Sequence, residues 1–152
     1  MSDIVDIKIK RLNPEFDDIP IPSYATSGSS GMDVRAAVKD EIIVEQNSIT
    51  LVPTNLSVEI PQGYEIQVRP RSGLAASHGI GILNSPGTID ADYRGEIKII
   101  IINLGQEKFA IKRGERIAQL VVSKVFTANL IQSEDLNHSK RGKGGFGHTG
   151  KE

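Results

Sequence analysis

The sequence has no cysteine, which removes a disulfide framework, every thiolate metal site and every thiol nucleophile, and fits a reducing compartment. Neither sign of charge is in excess: 18 Lys and Arg stand against 19 Asp and Glu, a formal net charge of -1. No global basic field is available to hold a long nucleic acid, so any polyanion bound must be small and gripped by local cations. Apolar runs are short, and none approaches the length that crosses a bilayer. Residues 1–10 alternate acidic, apolar and basic side chains without the apolar core of a signal peptide, so a cytoplasmic protein is expected. None of His78, His138 and His148 makes a metal-ligand spacing with another, and none pairs obviously with a serine or aspartate for serine-hydrolase chemistry. Helical periodicity is nearly absent.

What is present is a strand pattern. The 152 residues, 38% hydrophobic and 24% charged, suit one soluble domain. A domain of this length buries roughly 70% of the surface its unfolded chain exposes. Apolar and polar residues mostly alternate, and turn formers interrupt them at short intervals. Residues 42–44 and 49–52 are separated by Gln46, Asn47 and Ser48. Leu56, Val58 and Ile60 alternate up to Pro61-Gln62-Gly63, and Tyr64, Ile66 and Val68 alternate away from it, which reads as a hairpin or a sharp strand reversal. Ile97, Ile99 and Ile101 run to Asn103-Leu104-Gly105, Phe109 and Ile111 precede Lys112-Arg113-Gly114, and residues 117–125 are rich in β-branched side chains. The one plausible helix covers residues 72–78, with a serine as its cap. Many short strands with frequent turns predict an all-β barrel or sandwich.

Five clusters are more polar than turns require. Asp33 lies beside glycine and ahead of a strand, where a turn aspartate is the plain alternative. Arg71, Ser72 and Gly73 end one strand and open the short helix; they suit a phosphate, or they merely cap a helix. Residues 84–96 carry Asn84, Thr88, Ile89, Asp90, Asp92 and Tyr93; the pattern predicts an extended strand with Asp90 and Asp92 on one face. A carboxylate within reach of water is the usual general base for hydrolysis, and the acidic spacing is wrong for an EF-hand. Gln119 is a neutral amide among Ile117, Ala118, Leu120 and Val121, either functional or a solvent-facing strand residue. Finally Arg141, Lys143, Phe146 and Gly147 sit in a glycine-rich tail that cannot form a stable element alone. Such a tail is commonly disordered, but glycines, two cations and one aromatic together fit a lid that orders on a nucleotide. No Walker-type ending accompanies it.

Taken in order, residues 30–37, 70–75, 84–96, 114–120 and 141–150 resemble the five motifs of the trimeric dUTPase family over nearly the whole chain. The resemblance implies a jelly-roll-like β-barrel with a flexible tail, a barrel domain over residues 1–136 and a lid over 137–152. It implies hydrolysis of dUTP to dUMP and pyrophosphate with Mg²⁺, which limits uracil in DNA and supplies dUMP. It also implies a homotrimer with three shared sites, no long nucleic acid and no membrane. By the same resemblance Asp90 activates the water that attacks the α-phosphorus, and Asp33 acts on metal-bound water. Arg71, Ser72, Gly73 and Gln119 hold phosphates; Asn84 and the neighbouring backbone near Thr88 and Ile89 read uracil; Tyr93 packs on the deoxyribose. Phe146 stacks on uracil, with Arg141, Gly147 and the neighbouring glycines toward the phosphates. A dCTP deaminase, a non-catalytic nucleotide sensor and a trimeric scaffold are the rival readings. The Asp90–Tyr93 segment and the Phe146 tail favour the hydrolase over the deaminase, the presence of Asp33, Ser72, Asp90, Tyr93 and Gln119 together favours it over the sensor, and the aromatic in the tail over the scaffold.

His148 stands where this family's tail most often has serine, leaving an imidazole N–H in place of a hydroxyl. His148→Ser is expected to change KM modestly in steady-state assays; a collapse of kcat would contradict that.

Overall fold

The computed structural model describes residues 4–147 together with Thr149 and Gly150. The expectation for His148 therefore lies outside the described residues. Among those residues the fold is all-β, as the alternation predicts: twelve short strands, a single α-helix and one 3₁₀ turn at Pro14–Phe16. The largest sheet has the order β2-β3-β12-β7-β9, from Ser23–Tyr24, Met32–Arg35, Arg116–Lys124, Tyr64–Arg69 and Gly87–Ile89. A second sheet has the order β5-β10-β8, from Ile49–Pro53, Lys98–Asn103 and Ile80–Ile82. Two ribbons complete the fold: β1 (Lys8–Arg11) with β6 (Leu56–Glu59), and β4 (Ile42–Val44) with β11 (Phe109–Ile111). All these pairings are antiparallel. No helix among the described residues is long and apolar enough to cross a membrane.

The period of two decides what goes inside. Along β10, Ile99 and Ile101 point inward and are fully buried; along β7, Ile66 and Val68 do the same. Val34, Val44, Val52, Ile111 and Leu120 close the same core. Each such side chain stabilises the fold by roughly 1.5–3 kcal/mol through burial alone. On β12 the register shifts between Arg116 and Ala118, and there Ile117 and Ala118 are buried side by side. A bulge breaks strict alternation in this way.

The hairpin suggested at Pro61-Gln62-Gly63 does not form. The chain reverses there through Tyr64 N–H on Pro61 O at 3.3 Å, but β6 pairs with β1 while β7 pairs with β12 and β9. Alternation on both sides of a turn sets which residues face inward, not which strand each will pair with.

Irregular segments are fixed by polar side chains. Arg113 donates to both Asp18 oxygens, at 2.6 and 3.3 Å, and to Glu15 O at 2.6 Å, and lies 4.7 Å over the Phe16 ring. This clasp ties the 3₁₀ turn to the β11–β12 connection, and the hydrogen bonds from Arg113 hold the Asp18 carboxyl below the usual carboxylate range. Asn103 is fully buried; its Nδ2 donates to Val44 O (2.9 Å) and Glu107 O (2.8 Å), and its Oδ1 accepts from Gly105 N–H (2.9 Å). Asn103→Leu strands those backbone groups without water. Urea unfolding is expected to show a loss of about 2–3 kcal/mol, and a loss below about 0.5 kcal/mol would show the network to be dispensable.

Candidate active site

Two groups of the sequence-selected residues assemble, and a third stands apart. The first lines a cavity of about 410 Å³ that includes Asn84, Thr88, Ile89, Asp90 and Tyr93, a size that suits a small organic ligand. β9 forms one wall, because Gly87 and Thr88 pair with Val68 and Gln67 of β7. Asn84 enters from the turn before it, which contains a cis Ser85–Pro86 bond and is held by Ser85 Oγ on Ile82 O.

The expected strand through Asp90 and Asp92 stops at Ile89. Instead Tyr93 N–H donates to Asp90 O at 3.1 Å, closing a turn, and Arg94 Nη1 donates to Ala91 O at 2.7 Å and Tyr93 O at 3.0 Å. Local carbonyl acceptors, rather than a neighbouring strand, thus satisfy this stretch. Asp90 and Tyr93 consequently face the same cavity, and Asp92 does not line it. The Asp90 carboxylate is exposed and makes no hydrogen bond among the described residues, so it is available to a water or a ligand.

The second group centres on Asp33. Strand pairing sets Gln119 of β12 opposite Asp33 on one side and Arg69 on the other. Asp33 Oδ1 accepts from Arg71 Nε at 3.0 Å, and Oδ2 accepts from Arg116 Nη1 at 3.1 Å. Arg71 Nη1 also reaches Arg116 O at 3.3 Å, and Gln119 Nε2 donates to Pro70 O at 2.9 Å. One carboxylate between two guanidiniums leaves a local excess of positive charge. Arg71 Nη2 and Arg116 Nη2 make no hydrogen bond among the described residues, so the cluster retains donors for an anion.

Ser72 and Gly73 open α1 (Ser72–His78) beside this cluster, both exposed. The cap is Arg71 through its backbone, with no side-chain cap bond, so Ser72 is the first helical residue and does not cap it as expected. Its hydroxyl is left free of that duty. Arg141, Phe146 and Gly147 form the third group, on the tail; Arg141 Nε donates to Gly144 O and Phe146 is fully exposed. None of the residues of the Asp33 cluster or the tail lines the Asp90 cavity.

Sequence reasoning gave no role to Arg116 or Glu96, although both lie inside the clusters at 114–120 and 84–96, and it passed over Leu51 and Lys98 on the cavity wall. Pairing of distant strands brings Leu51 and Arg116 into place, whereas Glu96 and Lys98 follow Tyr93 closely along the chain. Glu96 Oε1 accepts from Asn55 N–H at 3.0 Å, and Lys98 Nζ lies 3.8 Å from Glu96 Oε2. Among the described residues no three His, Cys, Asp or Glu side chains group to hold a metal ion. A metal here would need oxygens from a ligand and from water, with Asp33 as the carboxylate beside the phosphate-type donors. Each Asp33 oxygen carries one hydrogen bond and keeps a lone pair free, so the donor set fits a hydrated hard cation.

A family model described as dUTPase matches residues 17–150. The deoxyuridine 5'-triphosphate nucleotidohydrolase of Thermoanaerobacter sp. is 50% identical over 144 residues, covering 95% of this chain and 97% of that one. The Fusobacterium nucleatum protein of the same name is 50% identical over 145 residues, covering 95% and 98%. Among solved structures, Staphylococcus bacteriophage 80alpha dUTPase with dUPNHPP superposes with a TM-score of 0.84 at 26% identity, covering 95% of this chain and 98% of that chain. A phage phi11 dUTPase variant with a coordinated structural Mg(II) ion shares the fold, at 21% identity and a TM-score of 0.76, over 88% of this chain and 99% of that one.

If the Asp33 cluster is an anion site, Arg71→Ala should weaken inorganic triphosphate binding about 10- to 100-fold, the worth of a charge-assisted contact. Isothermal titration calorimetry checks this, and an unchanged affinity would remove Arg71 from the site.

Proposed function

The chain belongs to the dUTPase family, and on that premise we propose how its own residues divide the hydrolysis of dUTP to dUMP and pyrophosphate. The observation that carries the reading is the unpaired Asp90 carboxylate, held in one cavity with Asn84 and Tyr93.

Asp90 is the general base. Its carboxylate takes a proton from a water, whose oxygen bonds to the α-phosphorus. The bond from that phosphorus to its bridging oxygen breaks, and pyrophosphate departs. The rest is placement. Asn84 and the backbone at Thr88 and Ile89 read the uracil edge, and Tyr93 packs against the deoxyribose. Arg71, Ser72 and Gly73 hold phosphate oxygens. Gln119, with one amide N–H on Pro70 O, offers its second directly or through water. When bound, Mg²⁺ carried mainly by the triphosphate would supply charge neutralisation on the phosphate oxygens. Asp33 would hold it through bound water.

The cavity and the Asp33 cluster are separate groups in one chain, and Phe146 touches neither. A homotrimer with shared sites accounts for this. The cavity of one subunit, the cations of a second and the tail of a third then meet on one nucleotide. In that assembly residues 137–152 act as a lid, Phe146 stacks on uracil, and Arg141 and Gly147 reach the phosphates. The substrate and the cysteine-free composition fit a cytoplasmic enzyme.

Pyrophosphate release with Mg²⁺ should be rapid from dUTP and slow from dTTP, dCTP and UTP. Asp90→Asn should lower kcat about 10²- to 10⁴-fold with little change in KM; a near-native kcat would take the base role away from Asp90. The shared site has its own check. Light scattering should give three times the 16.5 kDa chain mass. Mixing Asp90→Asn chains with chains lacking residues 137–152 should restore activity that neither has alone, and no gain on mixing would sink the sharing.

A further inference from the structure

We propose that Gly95 is a positioning residue for sugar selectivity, acting through Tyr93. The proposal rests on the reading of Tyr93 as the wall beside the deoxyribose. Tyr93 folds back over its own chain: its N–H donates to Asp90 O at 3.1 Å, and its hydroxyl donates to Glu96 O at 2.9 Å. The ring thereby lies across Gly95. A Cβ built on Gly95 would fall 2.6 Å from the ring Cζ and 3.0 Å from Cε2, and would also press on the hydroxyl oxygen. Neither atom can yield locally, because both belong to one rigid ring.

The backbone at Gly95 does not itself demand glycine, since its φ is not among the positive values. The ring alone makes the demand. Tyr93 is 44% exposed, so core packing does not hold it either. Two things seat the ring: the hydroxyl bond to Glu96 O, and the bare surface of Gly95 beneath it. A methyl group at position 95 lifts the ring off that surface toward the cavity it lines, into the space assigned to the sugar. Because Tyr93 N–H is bonded to Asp90 O, the same turn keeps this wall at a fixed distance from the base.

The test is steady-state kinetics with dUTP and UTP on the native enzyme and Gly95→Ala. Gly95→Ala should lose about 10- to 100-fold in kcat/KM for dUTP, as a displaced positioning group does. The loss should fall mainly on KM. UTP should lose less, so the preference for dUTP shrinks. A Gly95→Ala enzyme with native preference overturns the proposal, as does equal loss with both substrates. A native enzyme that does not prefer dUTP to UTP overturns the reading of Tyr93 itself. Should Gly95→Ala fold poorly, a double-mutant cycle on thermal midpoints decides the point. With the ring removed by Tyr93→Ala, adding Gly95→Ala should cost nothing further. An undiminished cost there means that the ring is not what position 95 accommodates.

Discussion

The polar end of this molecule depends on the register of its longest strand. β12 runs between β3 and β7, and that pairing alone puts Gln119 across from Asp33 on one side and Arg69 on the other. The same register turns Leu120 into the core and brings Arg116, on the far side of the bulge, to the Asp33 carboxylate. A slip by one residue would bury Gln119 and expose Leu120, so the core that fixes the register also fixes the charge cluster. Apolar burial and the charge cluster are here two readings of one ladder of backbone hydrogen bonds.

The cavity end is held differently. Residues 94–97 lie in no strand, yet they support the turn that presents Asp90 and Tyr93. Their support comes from buried polar side chains on the neighbouring segment: Thr54 Oγ1 donates to Ile97 O (2.6 Å) and Ser57 Oγ donates to Arg94 O (2.7 Å). Asn55, at φ 63° and almost wholly buried, gives its N–H to Glu96 while its side chain engages both backbone groups of Asn13. No buried side-chain polar atom among the described residues lacks a partner. Such satisfied networks rigidify an irregular segment where a ladder cannot reach.

The division between what was readable in the sequence and what was not follows range. Alternation of Ile and Val with polar residues located the strands, and the weak helical stretch ended where expected, at His78 before Gly79. Asp33, Arg71 and Gln119 stood out as polar residues where a plain turn or strand needs none, and they cluster in the structure. Strand alternation put Tyr93 on the face opposite Asp90 unless the hairpin twisted there. The turn at residues 90–93 brings them to one cavity instead, since its hydrogen bonds are local and carry no periodic signal. Arg116 and Glu96 lay inside the marked clusters, but no role could be read for them, because the partners that place them, Asp33 and Asn55, are remote in sequence.

The tyrosine hydroxyl has one further consequence. Its donor is already bonded to the Glu96 carbonyl, so in the proposed role the face of the ring would meet a sugar as a flat hydrocarbon surface. A surface of that kind refuses what is too bulky but registers almost nothing when a group is missing, because no buried partner is left unpaired. Discrimination built on it runs one way. In the role proposed for Tyr93 it would guard against an added hydroxyl and be nearly blind to a sugar with one fewer, so nucleotides reduced beyond the deoxy state would meet little resistance at that wall.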